Sequence, residues 1–334
     1  MDDSEKLIRV FIGGLYARVP FYTNAEDSFY ELISRSGFNL VEDMRDADIF
    51  IAMDLVEKEI FKWEMYGKSK QLAFLIRNEP KVVWPTNYRQ LLLAKFGTVI
   101  DIGRFNKNAD FESVWPQFWP EEASTNDFRF DDGIVIVSGN KLSFIFGELY
   151  SLRRRCIFNI PQIAHYGNNW DLGFLDKVKT VVLELLKVLE SKSLPNPNSF
   201  KFWFRKYINW LGAPYDKKSC LSIYKYSLVI ENSADYMSEK LFDAFFACTV
   251  PIYVGPCVRK YGIPENLVIQ CEPNLRSIRD GIKRAQKVNY VEWCDEINSW
   301  LNSAETRANW DGYEVYGRII DEIKKKAAKS NLKL

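Results

Sequence analysis

The sequence contains a single histidine, His165, and its six cysteines form neither a Cys-x-x-Cys pair nor any other metal-type spacing. One histidine excludes mechanisms and metal sites that require two. It follows Ala164 at a predicted strand end, where a structural role is favoured over a catalytic one. Several cysteines lie in apolar runs, which is typical of small buried side chains and indicates a reducing compartment.

The chain also lacks a strong net charge and long apolar runs. It has 45 lysines and arginines against 44 acids, for a formal net charge of +1, so charge gives no argument for a nucleic-acid partner and we expect none. The sequence shows no signal-peptide pattern and no apolar run near the roughly 20 residues that span a bilayer, so we expect neither a leader nor a spanning segment in it. We therefore expect a cytoplasmic protein, either free or peripheral at the inner face of the membrane.

Positive charge is concentrated at the C-terminal end. Five lysines follow a predicted helical segment: Lys324, Lys325, Lys326, Lys329 and Lys333. One interpretation is a frayed tail in solvent. The other is peripheral contact with an anionic membrane surface.

The order of elements predicts an α/β protein. Short apolar runs alternate with amphipathic helical patterns in both halves, which is typical of doubly wound parallel sheets. Strands are predicted at 7–12, 49–53, 72–76, 99–102, 134–137, 226–230, 250–254 and 267–271. Helices are predicted at 25–33, 56–66, 87–96, 147–159, 238–248, 274–286 and 290–301, the last of them packing back across the domains.

A chain of 334 residues suits two domains of ordinary size. We place the first at 1–125, the second at 126–300, and a C-terminal helix with the basic tail at 301–334. The stretch 115–132 is rich in proline, acids and aromatic residues and lacks periodicity, so we interpret it as the interdomain linker and a cleft wall.

An amphipathic segment at 172–189 is predicted to be a helical insertion. The following run FKFWFRKYINW, residues 200–210, interleaves aromatic residues with cations. It suits a packed edge with snorkelling cations, and equally an acceptor or membrane-surface contact.

The stretch 224–256 reads as strand, polar loop, helix and strand. The loop therefore leaves the carboxyl end of a buried strand, where open α/β sheets bind ligands. Lys240 falls in the first turn of the predicted helix, where a cation opposes the helix dipole and a bound phosphate would relieve the conflict. The alternative is a solvated helix start with a snorkelling lysine.

Two acidic motifs lie in the first half. Glu79 follows the predicted strand 72–76, which places a carboxylate at a strand's carboxyl end, either in a site or as an exposed loop acid. Asp46 and Asp48 match the Asp-x-Asp pattern of metal-dependent glycosyltransferases. They precede a strand, however, so we discount them as a metal site.

The run YKYSLVIENSADYMSEKLFDAFFACTVPIYVGP, residues 224–256, resembles the donor-site signature of the α1,3-fucosyltransferase family, glycosyltransferase family 10. The family's usual form is YKF, an apolar strand, FENS, a short loop, Y-x-TEK, an apolar helix, and PIYWG or PVVLG. This chain departs from it at Tyr226, Ile230 and Ser238, and Ser238 keeps the hydroxyl of threonine. The likeness extends over most of the chain but is strong in this stretch.

The resemblance implies a GT-B architecture, with two Rossmann-like doubly wound domains facing a central cleft. The first would bind the acceptor and the second the donor, GDP-β-L-fucose. The implied reaction transfers L-fucose with inversion to a hydroxyl, O3 of GlcNAc or Glc, of an oligosaccharide or glycolipid such as lipopolysaccharide. No metal or other cofactor is required.

The resemblance also implies roles for particular residues. Glu79 is the base that deprotonates the acceptor, although the family's preceding Thr-Gly is absent. Arg153 contacts the donor phosphates, and Arg154 is the second candidate for this role. Three adjacent arginines cannot share one helix face, so the others are expected in solvent. Lys240 joins Arg153 at the diphosphate. The remaining donor-binding residues are Asn232 and Tyr236, for phosphate or fucose, and Glu239, for sugar hydroxyls.

Two other functions remain open on the sequence. One is a GT-B enzyme that uses another nucleotide sugar, because no residue reads guanine or the fucose methyl group directly. The other is a catalytically silent sugar-binding or scaffold protein on the same fold.

Overall fold

The structure, a computed structural model, describes residues 8–16, 18–19, 28–103, 109–120, 130–170, 182 and 210–330. The chain divides into two compact units. Unit 1 comprises Met1–Phe118 with Ala304–Leu334, and unit 2 is Trp119–Ser303. The predicted domain boundary at residue 125, the predicted insertion at 172–189 and almost all of the aromatic run at 200–210 lie outside the described residues.

Each unit is built on a parallel sheet. The strands are β1 Arg9–Gly14, β2 Asn39–Leu40, β3 Ile49–Met53, β4 Ala73–Arg77, β5 Thr98–Ile102, β6 Phe111–Ser113, β7 Phe130–Val137, β8 Ile163–Tyr166, β9 Tyr224–Ile230, β10 Val250–Val254 and β11 Ile269–Gln270. The order is β2-β1-β3-β4-β5-β6 in unit 1 and β11-β10-β9-β7-β8 in unit 2. All pairs are parallel.

Helices connect the strands and cover the sheets. They are α1 Phe29–Arg35, α2 Glu57–Met65, α3 Gln90–Leu93, α4 Tyr150–Asn159, α5 Lys217–Ser222, α6 Lys240–Phe246, α7 Leu275–Ala285, α8 Tyr290–Asn302, α9 Ala304–Trp310 and α10 Gly312–Lys329. Within the residues described, no helix is both long and apolar enough to cross a membrane.

The unit 1 core has one layer on each side of its sheet. One layer joins β1, β3 and β4 to α1 and α10 through Val10, Ile51, Phe74, Ile319 and Ile323, all fully buried. The other packs Phe50 and Leu75 against α2 and α3. Because β3 and β4 are buried on both faces, they read as continuous apolar runs rather than alternating ones.

The C-terminal helix belongs to the core of unit 1. Its buried face includes Ile319, Ile320 and Ile323, and its lysines up to Lys329 lie on a regular helix. The interpretation of these lysines as a frayed tail is therefore wrong as far as Lys329. Lys333 lies outside the described part of the chain.

The helix predicted at 290–301 is confirmed, and its packing across the domains stays a prediction. These residues form α8, which lies in unit 2. Its indole side chains pack there: Trp293 Nε1 donates to the Leu267 carbonyl at 3.1 Å, and the Trp300 ring lies 5.9 Å from that of Phe242. The C-terminal element that joins the unit 1 core is α10.

Candidate functional site

The loop that carries the donor-type motif leaves the carboxyl end of β9. This strand pairs with β10 on one side and β7 on the other, and Tyr226 to Ile230 are buried in it. The loop crosses the sheet edge and enters α6, which begins at Lys240 and is a short helix of 7 residues. The strand, loop and helix predicted here are confirmed, with the helix starting two residues later than expected.

Glu231 is the internal anchor of this loop. Its carboxylate is fully buried and accepts hydrogen bonds from the Ser238 backbone N–H at 3.1 Å and the Ser238 hydroxyl at 2.7 Å. The Tyr253 hydroxyl on β10 donates to the same carboxylate at 3.4 Å. The two ends of the loop are thereby tied to each other and to the neighbouring strand.

Lys240 is held at this anchor. Its ammonium donates to the Ser238 hydroxyl at 2.6 Å and lies 3.6 Å from the Glu231 carboxylate. The Lys240 side chain is 22% exposed, so its charge is partly withdrawn from water yet not sealed. A partly desolvated, fixed ammonium interacts strongly with an anion that reaches it.

Arg153 lies on α4 and holds the start of the same loop. Its guanidinium donates to the Ile230 carbonyl at 2.6 and 3.0 Å and to Asn232 Oδ1 at 3.0 Å, and it stacks 4.9 Å above the Tyr150 ring. Burial lowers the pKa of Arg153. Arg153 and Asn232 are therefore brought together, as constraints on the loop's backbone.

The expectation that the neighbouring arginines are solvated is wrong for Arg154. This side chain is 4% exposed and donates to the Lys141 carbonyl at 2.8 Å and the Ser151 hydroxyl at 3.2 Å. Two adjacent arginines are buried because they point to different neighbours, the loop after β9 and the loop after β7.

Glu239 lies between two lysines at the start of α6. Lys217 reaches its carboxylate at 3.4 Å and Lys240 lies 3.7 Å away. Lys217 also bridges to Asp243 at 3.2 Å. Burial raises the pKa of Glu239, but the positive charges of Lys240 and Lys217 outweigh this effect, so the pKa is lowered. Glu239 is therefore ionised at neutral pH and can accept hydrogen bonds.

Tyr236 is the predicted donor-binding residue that the structure buries most completely. Its side chain is 1% exposed. Because its ring is buried inside unit 2, Tyr236 helps to hold the loop in position. Sequence reasoning placed it correctly in the loop but gave no indication of its burial.

Glu79 lies in unit 1, just beyond β4. Three groups fix it: its backbone N–H donates to Asp54 Oδ1 at 3.1 Å, its carbonyl accepts from the Tyr88 hydroxyl at 3.0 Å, and its Oε1 accepts from the Tyr16 hydroxyl at 3.2 Å. The side chain is half-buried. The predicted position at a strand's carboxyl end is confirmed, and the carboxylate is held rather than loose.

Asp54 was missed by sequence reasoning. It follows β3, the strand next to β4, and its carboxyl is fully buried. Burial, with a smaller contribution from the charge of Glu79, raises the pKa of Asp54 to about 7. The available signal was an acid directly after a five-residue apolar strand, which places it at the same sheet edge as Glu79.

A buried ion pair fixes the end of β4 beneath Glu79. Arg77 Nε lies 2.5 Å from Asp101 Oδ1 and its Nη2 lies 2.8 Å from Oδ2, with both side chains at most 3% exposed. The guanidinium also lies 4.7 Å from the centre of the Tyr88 ring. The pair joins β4 to β5, because these two residues are opposite each other in the register.

The other motifs have structural environments. Asp48 accepts three hydrogen bonds from Arg9 at the amino end of β3, the edge opposite Glu79. His165 is fully buried edge-on against Trp170 at 4.2 Å, and burial lowers its pKa to about 4. Among the described residues, no cluster of three or more acidic, histidine or cysteine side chains could hold a metal ion.

No protein-family model matches the chain, and no curated protein matches it. Solved structures match it in fold. An α1,3-fucosyltransferase gives a TM-score of 0.54 at 12% identity, covering 97% of this chain and 92% of that one. An α1,3-fucosyltransferase with GDP gives 0.52 at 11% identity, with 97% and 92% covered.

A third solved structure is an α-glucosyltransferase in complex with UDP and a 13-mer DNA, with a TM-score of 0.51 at 9% identity over 95% of this chain and 99% of that one. The match spans nearly the whole of each chain. The protein therefore has the α/β GT-B fold of the glycosyltransferases, in a form like that of α1,3-fucosyltransferases.

Proposed function

We propose that this protein is a glycosyltransferase that uses a nucleotide diphosphate sugar, with GDP-β-L-fucose as the donor. The observation that carries the proposal is the fixed ammonium of Lys240, held by Ser238 and Glu231 where the central strand of unit 2 ends. Open parallel sheets bind ligands at this edge. The family-like motif falls on the same residues.

The reaction requires the departing diphosphate to be neutralised. A sugar that leaves as its nucleotide diphosphate passes through an oxocarbenium-like state, and negative charge develops on the leaving oxygen. Lys240 supplies a partly desolvated cation for that charge. Arg153 was expected to touch the phosphates, and its bonds to Ile230 and Asn232 favour an indirect role through the loop.

Unit 1 supplies the acid–base group in this proposal. Glu79 would accept the proton of the acceptor hydroxyl while that oxygen attacks the anomeric carbon from the face opposite the departing diphosphate. The sugar–phosphate bond breaks as the new glycosidic bond forms, so the sugar is transferred with inversion. Its backbone and its carboxylate are both fixed, by Asp54, Tyr88 and Tyr16. A base held in place needs little reorganisation when the substrate binds.

The favoured acceptor is O3 of GlcNAc or Glc in an oligosaccharide or glycolipid such as lipopolysaccharide. The exposed lysines of α10, Lys325 and Lys329, support peripheral contact with an anionic membrane at its inner, cytoplasmic face. We propose that the protein works there without a metal or other cofactor.

A thermal-shift panel tests the choice of donor. GDP-fucose and GDP should raise the melting temperature. A ligand that binds only the native state, present at a concentration 100 times its Kd, stabilises that state by about 2.7 kcal/mol. GDP-mannose, UDP-glucose and UDP serve as controls. A shift with UDP ligands alone would show a GT-B enzyme with another donor. If donors bind but are neither transferred nor hydrolysed, the protein is a silent binder.

Replacing Lys240 with methionine should lower kcat/KM for transfer by about 30-fold or more, which corresponds to about 2 kcal/mol of transition-state stabilisation. The reason is the loss of a fixed cation at the diphosphate. Steady-state kinetics with GDP-fucose measure the effect. Lys283→Met is the matched control, because this lysine is 76% exposed on α7. Turnover close to wild type in Lys240→Met would refute the assigned role.

A further inference from the structure

Asp54 connects several segments at the carboxyl edge of the unit 1 sheet. Its backbone N–H donates to the Ile76 carbonyl at 2.9 Å, and its own carbonyl accepts from the Leu15 N–H at 3.1 Å. Its carboxylate Oδ1 accepts from the backbone N–H groups of Asn78 at 2.9 Å and Glu79 at 3.1 Å. One residue thus fixes the ends of β1 and β4.

The fifth connection is to Asn87. Its amide Nδ2 donates to Asp54 Oδ1, and its Oδ1 accepts from the Leu55 N–H at 2.7 Å. Asp54 itself has a backbone φ of 56°, in the left-handed region, so the chain turns sharply at this residue. The whole arrangement is built around one buried carboxyl group.

Burying a carboxyl group costs free energy that a purely structural connection does not require. Within the described part of the chain, Asp54 Oδ2 is buried and has no hydrogen-bond partner. Asparagine could accept the same backbone hydrogen bonds through Oδ1 without burying a charge. The presence of a carboxyl group at residue 54 is explained if its charge acts on another group.

That group is Glu79, the candidate reacting acid whose backbone N–H Asp54 holds. The titratable groups that face Asp54 are Glu79 itself, Tyr16 on the preceding loop and Tyr316 on α10, and the charge of Asp54 acts on both tyrosines. The charge of Glu79 opposes the ionisation of Asp54. The effect is reciprocal, so each of two interacting carboxyl groups holds a proton more strongly when the other is ionised.

We propose that Asp54 is a positioning residue for Glu79, which fixes its backbone and, when ionised, increases its affinity for a proton. The inference rests on the proposed function for the role of Glu79 as base. The coupling between the two carboxyl groups is a property of unit 1 and can be measured without any substrate.

The raised pKa of Asp54, about 7, places its ionisation within the working range of most enzymes. Below that pH Asp54 is neutral and does not repel the charge of Glu79. Above it Asp54 is charged, Glu79 binds the acceptor's proton more strongly, and the proton transfer becomes easier. Transfer should therefore rise with pH through an ionisation near neutrality.

The direct test is a titration by NMR of protein labelled with carboxyl-¹³C aspartate. The Asp54 resonance, identified by its absence in Asp54→Asn, should titrate near neutral pH in the wild type. In Glu79→Gln its midpoint should move to lower pH, because the repelling charge is gone. An unchanged midpoint would overturn the proposal, whether or not the protein transfers sugar.

The kinetic test uses Asp54→Asn, which keeps the acceptor oxygen and removes the charge. We expect kcat to fall about tenfold at pH 8, to stay near the wild-type value at pH 6, and to lose its ionisation near neutrality, while KM for the donor is unchanged. A structural role alone would lower kcat equally at both pH values, and that result would contradict the proposal.

A second variant separates the charge from the fold. Asn87→Ala leaves the Asp54 carboxyl in place and removes a hydrogen bond that favours its ionised form. The neutral-pH ionisation in kcat and the NMR midpoint should both move to higher pH. If the NMR coupling is present and the wild type shows no transfer, the proposed function fails while the coupled pair stands. If transfer is present and the NMR coupling is absent, the coupled pair fails while the proposed function stands.

Discussion

Replacing Glu79 with glutamine should lower kcat for sugar transfer by about 10²- to 10⁴-fold, the range expected for loss of a general base. Glutamine has nearly the same shape and can still accept from Tyr16, but it cannot take a proton from the acceptor hydroxyl. The measurement is single-turnover transfer at saturating donor. The midpoint of donor binding should be unchanged, because the proposed donor residues lie in unit 2.

Glu57→Gln provides the matched control. Glu57 lies in the same unit on α2, is 45% exposed, and pairs with Arg89 at the surface. It should leave kcat within a factor of about two, because an exposed ion pair contributes little. Near-normal transfer in Glu79→Gln would remove Glu79 from the mechanism and leave the fold and the donor loop unaffected.

Removing one partner of the Arg77–Asp101 pair should strongly destabilise unit 1. Arg77→Met leaves the Asp101 carboxylate buried without its partner, and breaking a buried pair in this way costs about 3–5 kcal/mol. The free energy of unfolding from urea denaturation, followed in each unit separately, measures it. The loss should appear in unit 1 and not in unit 2.

The double variant Arg77→Met with Asp101→Leu tests the cause. When both charges are replaced by apolar groups, much of the stability should return, because neither charge is left buried alone. Arg9→Met is the matched control, since its pair with Asp48 is partly exposed and should contribute about 1 kcal/mol or less. Equal losses in the single and double variants would show that packing, rather than charge, stabilises this edge.

The central strands could be predicted from the sequence because burial on both faces leaves a continuous apolar run. The predicted strands 49–53 and 250–254 have the same first and last residues as β3 and β10. The edge strands β2 and β6 were missed, since strands of two or three half-exposed residues carry no such pattern. The helix predicted at 87–96 is a 3₁₀ turn at Pro85–Tyr88 followed by the single turn α3.

The site was predictable where chemistry follows from position along the chain. Lys240 and Glu79 both lie at the carboxyl ends of parallel strands, as their spacing indicated. The direction of the Arg153 and Tyr236 side chains was not predictable, because it depends on the tertiary neighbours of α4 and the loop. Asp54 was missed for the same reason: its importance comes from its contact with residue 79, which is distant in sequence.

The return of α10 to the first unit has a consequence for biosynthesis. A ribosome completes Trp119–Ser303 before it makes the segment that fills the apolar face of the N-terminal sheet. The second unit can therefore mature first, while the earlier part of the nascent chain waits with Val10, Ile51 and Phe74 uncovered. Any partial product that stops before residue 312 would present that surface to chaperones.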